Sequence, residues 1–492
     1  MHKKTIICTL FGLGLLVGAT CSAQNGATRI GTIDFRTIEI AGLGQQAMGG
    51  SLAVFENNVV GRGRKIALNI VVLPARGQAA KGTPLFFIFG GPGAAASQYT
   101  ANFVAPVFKA FGEKHDLVVV DQRGTGGSNP LKGDLTEFSR LQDFLVPTID
   151  TRVVAANKDR YRELADLQHY TSLNAVMDLE SVRQAMAYEK INIYATSYGV
   201  RPALIYMNRY PRRVRSAILK GVVAPSAIIA ASFAKDAERS LGLLVEKCEN
   251  EPACRDAFPD FREEFDAVVQ RLDHEPARIM AKNPVTGKRE SAVLDRETFT
   301  NFVRTVLMNT GAASNLPFAV HAAYANNYEP IVKFLLLLKQ SYRARLYEGM
   351  SLAVLCAEDY PRFDSLDLSE ATKNTFLDRA WIDPAVQACQ TMGLQNNEPP
   401  DYLNISEKLE TPVLLISGNL DAATPPQYGN EVAARFPNGL HLIVKNGSHS
   451  FSREMFGCID VIMDRFLQEG TVANLSTECV DSIGFPAFKT KD

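Results

Sequence analysis

Ser197 lies in a short pattern that is typical of a catalytic nucleophile. It occupies the centre of residues 195–199 (ATSYG), between an apolar run and a helical pattern. Small residues flank such a serine because the turn that exposes it is too tight for larger side chains. Ala195 stands where a glycine is usual, which is the mildest departure from the pattern. The pattern is short, so its strand–turn–helix context carries most of the weight.

A serine hydroxyl needs a base, and the base needs an acid that orients it. Asp421 follows the apolar run at 411–417, and His449 follows the apolar run at 439–445. Taken alone, His449 fits a surface loop and Asp421 fits a helix cap or a turn. The order serine, aspartate, histidine is the α/β-hydrolase order, and all three would arrive at one edge of a parallel sheet. We therefore predict Ser197 as nucleophile, His449 as base and Asp421 as orienting acid.

Acyl transfer also needs donors for the negative charge that develops on the carbonyl oxygen. Residues 90–93 (GGPG) follow an apolar run and form a glycine-rich turn. Taken alone, this segment also fits a plain tight turn. Together with Ser197, it predicts an oxyanion hole built from the backbone N–H groups of Gly91 and Tyr198.

The elements that must position these residues are visible as apolar runs that end in turn residues. Runs at 85–89, 117–120 and 191–195 have the continuous apolar character of strands buried on both faces. Helical patterns at 173–188 and 200–213 alternate with them. This alternation predicts an α/β fold, with a mostly parallel sheet and helices on both of its faces.

The strand pattern is interrupted between residues 226 and 409, where helical patterns occur without a clear strand rhythm. A stretch of this size is too long for a loop and long enough for a domain. We predict one α/β domain formed by residues 24–225 and 410–492, split by a large helical cap. Residues 226–409 are called the inserted segment below.

Composition excludes several classes of partner. Among 492 residues, 52 Lys and Arg balance 53 Asp and Glu, so the net charge is −1. Without a basic excess, nucleic acid is not expected as a partner. There is no CxxC or HExxH motif, so no metal site is predicted. No cofactor is expected, because a serine–histidine–aspartate mechanism needs none.

The first 23 residues have the pattern of a secretory signal peptide. Lys3 and Lys4 precede an apolar run, and Ser22-Ala23 resembles a cleavage site. The run is too short for a membrane span, so we expect an exported, periplasmic or secreted protein. The alternative is a lipid anchor on Cys21, although the preceding threonine fits that signal poorly.

Removal of this segment leaves six cysteines, and an even number in an exported chain indicates disulfides. Sequence alone allows fifteen pairings. Pairing of neighbours closes short loops and is the prediction adopted here: Cys248–Cys254, Cys356–Cys389 and Cys458–Cys479. The alternative is that these cysteines are buried free thiols.

Five motifs together resemble the prolyl iminopeptidase and tripeptidyl aminopeptidase family of serine exopeptidases, in particular its exported bacterial tripeptidyl-aminopeptidase-like branch. They are FGGPG (89–93), DQRGTGGS (121–128), ATSYGVR (195–201), SGNLDAATPP (417–426) and NGSHS (446–450). The resemblance implies an α/β-hydrolase fold with a helical cap over the active site. It also implies hydrolysis of short peptides from a free N-terminus, with structural roles for Asp121 and Arg123. Phe89 and Lys220 depart from the usual family pattern.

An exopeptidase that requires a free N-terminus must bind an ammonium group, and a closed site then calls for buried carboxylates. Similar Cys-Ala-Glu segments occur in the tripeptidyl aminopeptidase branch. We therefore predict Glu358, followed by Asp359, as the amine anchor; the alternative is a solvated acidic turn.

The leading functional hypothesis is an exported serine aminopeptidase that acts on peptides with a free N-terminus. Two alternatives stay open. The first is an esterase that uses the same triad and has no need of a free amine. The second is a non-catalytic binding module on the same fold, which the intact serine–histidine–aspartate set argues against.

Overall fold

The computed structural model of the chain describes residues 28–77, 82–394, 400–405 and 408–491. The predicted signal peptide, with Cys21, lies outside the described residues. No helix in the described ranges combines the length and apolar character that a membrane crossing requires.

Twelve strands are present in the described part of the chain. They are β1 (Thr28–Ile30), β2 (Ile33–Ile38), β3 (Ala47–Phe55), β4 (Lys65–Leu73), β5 (Leu85–Ile88), β6 (Leu117–Val120), β7 (Ile191–Ser197), β8 (Val214–Val222), β9 (Ala277–Lys282), β10 (Arg289–Leu294), β11 (Val413–Gly418) and β12 (Gly439–Val444). Ten of them form one sheet in the order β1-β2-β3-β4-β6-β5-β7-β8-β11-β12.

The α-helices connect and cover these strands. They are α1 (Ala105–Val107), α2 (Thr151–Leu164), α3 (Ser172–Ala185), α4 (Val200–Arg209), α5 (Phe233–Asn250), α6 (Pro252–Ala257), α7 (Phe261–His274), α8 (Arg296–Leu307), α9 (Thr310–Ala313), α10 (Leu316–Tyr324), α11 (Glu329–Arg345), α12 (Glu348–Val354), α13 (Leu368–Thr372), α14 (Ile382–Met392), α15 (Pro426–Ala433) and α16 (Arg453–Glu469).

The sheet has an antiparallel half and a parallel half. Strands β1 to β4 pair as an antiparallel meander, and β4 pairs antiparallel with β6. From β6 across β5, β7, β8 and β11 to β12, every pairing is parallel. The parallel sheet predicted from the apolar runs is therefore confirmed, and the four N-terminal strands extend it.

Both faces of the parallel half are buried, which explains its continuous apolar strands. In β6, Val118 packs into a core that includes Val176 of α3 and Val200 of α4. The next residue, Val119, packs into a different core that includes Ile459 of α16. Since successive strand residues point to opposite faces, helices cover both sides, as predicted.

The inserted segment contains α5 to α14 and a hydrophobic core that includes Leu241, Phe265, Phe299 and Val320. It also contains the hairpin β9–β10, which the helical pattern did not predict. Along β9 the side chains alternate between half-buried and exposed. Its exposed positions are Arg278, Met280 and Lys282, so the strand shows no continuous apolar run.

All three predicted disulfides are confirmed. Cys248 pairs with Cys254, Cys356 with Cys389, and Cys458 with Cys479. The first two bridges lie in the inserted segment, and the third joins α16 to the C-terminal region.

Candidate active site

Ser197 is the last residue of β7, and the turn that follows leads into α4. Its backbone φ is +57°, in the left-handed region that non-glycine residues rarely adopt. Gly199 is required in this turn, because a Cβ there would lie 2.3 Å from the carbonyl oxygen of Ile88. The strained, closely packed backbone therefore holds Ser197 at the carboxyl end of the strand, as the sequence pattern predicts.

Asp421 and His449 meet at the carboxyl ends of β11 and β12. His449 Nδ1 lies 2.8 Å from Asp421 Oδ2, a distance at which the ring N–H donates to the carboxylate. Asp421 is fully buried. Its Oδ1 accepts hydrogen bonds from the backbone N–H groups of Ala423 at 2.7 Å and Thr424 at 2.8 Å. With Nδ1 engaged in this way, Nε2 of His449 is the nitrogen available for a substrate reaction.

The surroundings of Asp421 keep its carboxyl ionised. Burial alone would raise its pKa, but the charge and hydrogen bond of His449, together with the Thr424 donors, outweigh burial. The pKa of Asp421 consequently lies well below its usual range. An ionised acid in this place orients the histidine ring and stabilises the imidazolium form.

Ser197 and His449 line one cavity of about 760 Å³. Asp421 lies behind His449 and does not line it. Within the described residues, no direct hydrogen bond joins Ser197 to His449. Catalytic hydrogen bonds of this type often tighten only when a substrate binds. The structure thus brings the three predicted residues together, with the acid–base contact already formed.

The predicted oxyanion donors also adjoin the nucleophile. Gly91 and Tyr198 both line the cavity. The glycine turn lies against Ser197, since a Cβ on Gly90 would be 2.6 Å from the Cβ of Ser197. The buried Tyr198 hydroxyl is held at 2.8 Å from the Ser172 hydroxyl, which fixes the residue that follows the nucleophile.

Asp121 and Arg123 have internal contacts, as the family resemblance implies. Asp121 accepts hydrogen bonds from the Ser97 N–H and hydroxyl at 2.8 and 2.9 Å. Arg123 is fully buried and donates from Nε and Nη2 to the carboxylate of Asp178, both at 2.7 Å. These contacts hold the loop after β6 against its neighbours.

Glu358 and Asp359 do not lie where an amine anchor is needed, and this prediction is corrected. Both carboxylates are fully buried, and neither lines the cavity. Glu358 accepts hydrogen bonds from the Ser172 N–H at 2.6 Å and the Tyr402 hydroxyl at 2.9 Å. Arg201 donates to Glu358 at 3.1 Å and twice to Asp359 at 2.8 Å. The two acids therefore hold the helix that follows the nucleophile; sequence alone did not show that the buried Arg201 was their partner.

Lys220 is a residue that the sequence marked only as a departure from the family pattern. It lies near the end of β8 and lines the cavity, with 6% of its surface exposed. Its Nζ donates to the backbone carbonyl of His449 at 2.7 Å and lies 4.1 Å from the ring centre of Phe451. Burial lowers the pKa of Lys220 to about 8. The sequence signal for this buried lysine was its position inside an apolar strand pattern.

Charged residues of both signs line the cavity. The cations are Lys220, Arg304, Lys339, Arg343 and Arg345, and the acids are Asp143, Asp150 and Glu348. Apart from Lys220, the seven other charged residues could not be recognised from the sequence, because they come from separate segments that carry no motif. In the described part of the chain, no group of His, Cys, Asp or Glu is arranged to hold a metal ion.

Comparison with known proteins agrees with this architecture. A family model described as "alpha/beta hydrolase fold" matches residues 83–257. The chain therefore has the α/β-hydrolase fold, as predicted from its sequence. A second model, described as "TAP-like protein", matches residues 374–479, a range that contains both Asp421 and His449.

Curated relatives support the predicted family. The chain is 28% identical to serine protease Hip1 of Mycobacterium tuberculosis over 37% of either protein. It is 28% identical to proline iminopeptidase of Neisseria gonorrhoeae, over 29% of this chain and 33% of that protein. It is 28% identical to tripeptidyl aminopeptidase of Streptomyces lividans, over 28% of both. The chain thus spans about a third of the length of the curated relatives it matches.

Proposed function

We propose that this chain is an exported serine aminopeptidase that removes residues or short peptides from substrates with a free N-terminus. One observation carries the proposal: the Asp421–His449 hydrogen bond lies at the sheet edge where β7 presents Ser197 to the same cavity. Three relatives are named as a serine protease, a proline iminopeptidase and a tripeptidyl aminopeptidase, which favours peptides as substrates.

The proposed reaction starts at the scissile carbonyl. Ser197 Oγ attacks the carbonyl carbon while its proton passes to His449 Nε2. The carbonyl electron pair moves to oxygen, where the N–H groups of Gly91 and Tyr198 stabilise it. The tetrahedral intermediate then collapses. The carbon–nitrogen bond breaks, the leaving amine takes the proton from His449, and the acyl group stays on Ser197.

Hydrolysis of this acyl-enzyme restores the protein. A water molecule attacks the acyl carbon and gives one proton to His449. The bond between the acyl carbon and Ser197 Oγ breaks, and the proton returns from His449 to Oγ. The acid product leaves, and the sum is one water consumed for each bond cleaved.

Export is supported by the cysteines. All six cysteines outside the predicted signal peptide are paired, and disulfides persist in oxidising compartments. The sequence pattern of residues 1–23 favours the same location.

An esterase with the same catalytic residues is the second candidate, and one observation favours it. The acids predicted to bind the substrate amine are engaged by Arg201, away from the cavity. Two of the acids that do line the cavity, Asp143 and Asp150, are already bound by Arg152 at 3.2 and 2.7 Å. An ester substrate would need no anchor for an ammonium group.

A panel of matched substrates tests the proposal. Tripeptidyl and single-residue anilides are offered with a free and with an acetylated N-terminus, beside a simple acyl ester. We expect hydrolysis of the free peptides, loss of that hydrolysis on acetylation, and no activity in Ser197→Ala. Ser341→Ala, which removes an exposed hydroxyl from the same cavity, serves as the control and should stay active. Equal hydrolysis of free and acetylated peptides, or of the ester alone, would contradict an aminopeptidase.

A further inference from the structure

Arg304 is a buried cation in the wall of the cavity. It lies on α8 in the inserted segment, with 4% of its surface exposed. Its guanidinium lies 3.6 Å from the ring centre of Phe233 and 4.8 Å from that of Trp381. All three residues line the cavity that also contains Ser197. The two aromatic rings thus lie against the guanidinium.

The Arg304 side chain has no hydrogen-bonding or ion-pairing partner among the described residues. Its Nε is buried without an acceptor, and so is the indole Nε1 of Trp381. Burial of a charge without a partner costs free energy, and native proteins avoid it unless the group has a use. Two adjacent donors of this kind indicate that an acceptor from outside the protein completes the site.

The other cations of the cavity are satisfied or hydrated. Lys220 donates to His449, and Lys339 donates to the Pro147 carbonyl at 2.7 Å. Arg343 donates to two backbone carbonyls, both at 2.6 Å, and Arg345 is exposed to solvent. Arg304 is therefore the lining cation that is both buried and unpaired in the described part of the chain.

The nearest acidic groups do not neutralise Arg304. The charges of Asp236 and Asp421 act on it, but neither forms an ion pair with it among the described residues. Asp421 is committed to His449 and Thr424. Burial raises the pKa of Asp236 to about 7, so this carboxyl is only partly ionised near neutral pH. Burial lowers the pKa of Arg304 to about 10, so the guanidinium stays charged there.

We propose that Arg304, together with the indole N–H of Trp381, binds a carboxylate of the substrate in the cavity that holds Ser197. A planar guanidinium donates two parallel hydrogen bonds to a carboxylate, and a buried site strengthens them. The substrate class is thus a molecule with an anionic group, either the C-terminal carboxylate of a short peptide or an acidic side chain. This inference deepens the proposed function and rests on the cavity being its substrate site.

Binding to the Ser197→Ala protein tests the assignment without turnover. Trp381 is the single tryptophan of the chain, so its fluorescence reports binding beside Arg304, and calorimetry measures the affinity independently. Three matched pairs are compared: tetra-alanine and its C-terminal amide, Ala-Ala-Glu-Ala amide and Ala-Ala-Gln-Ala amide, and 4-phenylbutyrate and 4-phenylbutyramide. The first two pairs distinguish a C-terminal carboxylate from an acidic side chain. The third pair tests a carboxylate on a molecule that is not a peptide.

We expect the carboxylate member of at least one pair to bind about 10- to 100-fold more tightly, as for a charge-assisted hydrogen bond. Adding Arg304→Gln should abolish this preference, whereas Arg304→Lys should keep part of it. Adding Arg345→Gln removes an equal charge from the cavity rim and should leave the preference unchanged. The melting temperature of each variant is measured alongside, because Arg304→Gln also loses the contacts of the guanidinium with the rings of Phe233 and Trp381.

Three results would overturn the assignment: no carboxylate preference in any pair, a preference that survives Arg304→Gln, or a preference lost equally in Arg345→Gln. Failure of the proposed function is recognised separately, by the hydrolysis panel. If the protein cleaves no peptide but still binds 4-phenylbutyrate preferentially through Arg304, the carboxylate site is supported and the proposed aminopeptidase activity is wrong.

Discussion

Lys220 joins the sheet to the loop that carries the proposed base. Its ammonium group donates to the backbone carbonyl of His449 and lies over the ring of Phe451. Both contacts are made to the loop after β12, whereas Lys220 itself belongs to β8, which is a rigid element. A donor held in this way restrains the backbone at His449 and thereby the position of the imidazole ring.

Replacement of Lys220 should therefore affect the chemical step more than substrate binding. In Lys220→Met the apolar stem is kept and the donor is lost. We expect kcat to fall about 3- to 10-fold, the value of one hydrogen bond, with little change in KM. Lys132→Met is the matched control, because Lys132 also donates to a carbonyl and lies over an aromatic ring, at the surface. Steady-state kinetics of both variants provide the measurement. Equal effects of the two substitutions would show that Lys220 does not position His449.

We expect Glu358 to stabilise the fold and not to bind the substrate. Glu358→Gln keeps the size of the side chain but removes the charge that faces Arg201. We expect the free energy of unfolding to fall by about 3 kcal/mol, as for a broken buried ion pair. Chemical denaturation measures this loss. Activity should fall by the same factor for free peptides and for a neutral ester. A loss confined to free peptides would restore the amine anchor.

At the scale of elements, buried strands were the most predictable part. The apolar run at 117–120 gave the observed bounds of β6, because every residue of that strand is apolar. Helices α3 and α4 were also predicted, with ends that differ by a few residues. The hairpin β9–β10 was missed, since it is a two-stranded ribbon with one face in solvent. Such a ribbon has no continuous apolar run, and the turn residues Asn283, Pro284 and Gly287 that connect its strands do not by themselves identify a strand pair.

The contact between α5 and α15 gives a prediction for pH dependence. Asp236 of α5 accepts a hydrogen bond from the Tyr428 hydroxyl of α15 at 3.1 Å, and burial raises the pKa of Asp236 to about 7. An unfolded aspartate titrates near 3.9. Between these values the folded state binds more protons than the unfolded state, so this group lowers stability as pH rises from about 4 to about 7.

Asp236→Asn should remove that slope. We expect the variant to be more stable than the parent at pH 8, by about 2–4 kcal/mol, and nearly equal to it at pH 4. Calorimetric melting at several pH values measures the difference. Asp34→Asn is the control, because Asp34 is 67% exposed, and its variant should keep the parent's slope. A parallel shift of the Asp236→Asn curve at every pH would contradict the assignment.

At the scale of the whole molecule, sequence and structure differ most in the cavity. Ser197, Asp421 and His449 could be predicted because local motifs at strand ends identify them. Arg304 lies in α8 and Trp381 directly precedes α14, far away in sequence, and only the folded inserted segment brings them together beside Ser197. The same limitation explains Glu358, because its buried partner Arg201 is 157 residues away in sequence and no local motif links the two.

The disulfides give a prediction at this scale. Cys356–Cys389 spans 33 residues and Cys248–Cys254 spans 6. Because a cross-link stabilises mainly by limiting the unfolded chain, the longer loop should matter more. Replacing Cys356 and Cys389 by alanine should cost about 3–4 kcal/mol of unfolding free energy, and replacing Cys248 and Cys254 about 2. Denaturant titration of both double variants measures the difference, and a reversed order would contradict the loop-length argument.

The central claim is that Ser197 is a nucleophile activated by His449 and Asp421. The most direct test is reaction of the protein with a fluorophosphonate, followed by proteolysis and mass spectrometry. We predict one modified serine, Ser197, with no labelling in Ser197→Ala and labelling slowed by orders of magnitude in Asp421→Asn, where the imidazole would hold the wrong tautomer. Labelling of another serine, or unchanged labelling of Ser197→Ala, would contradict the account.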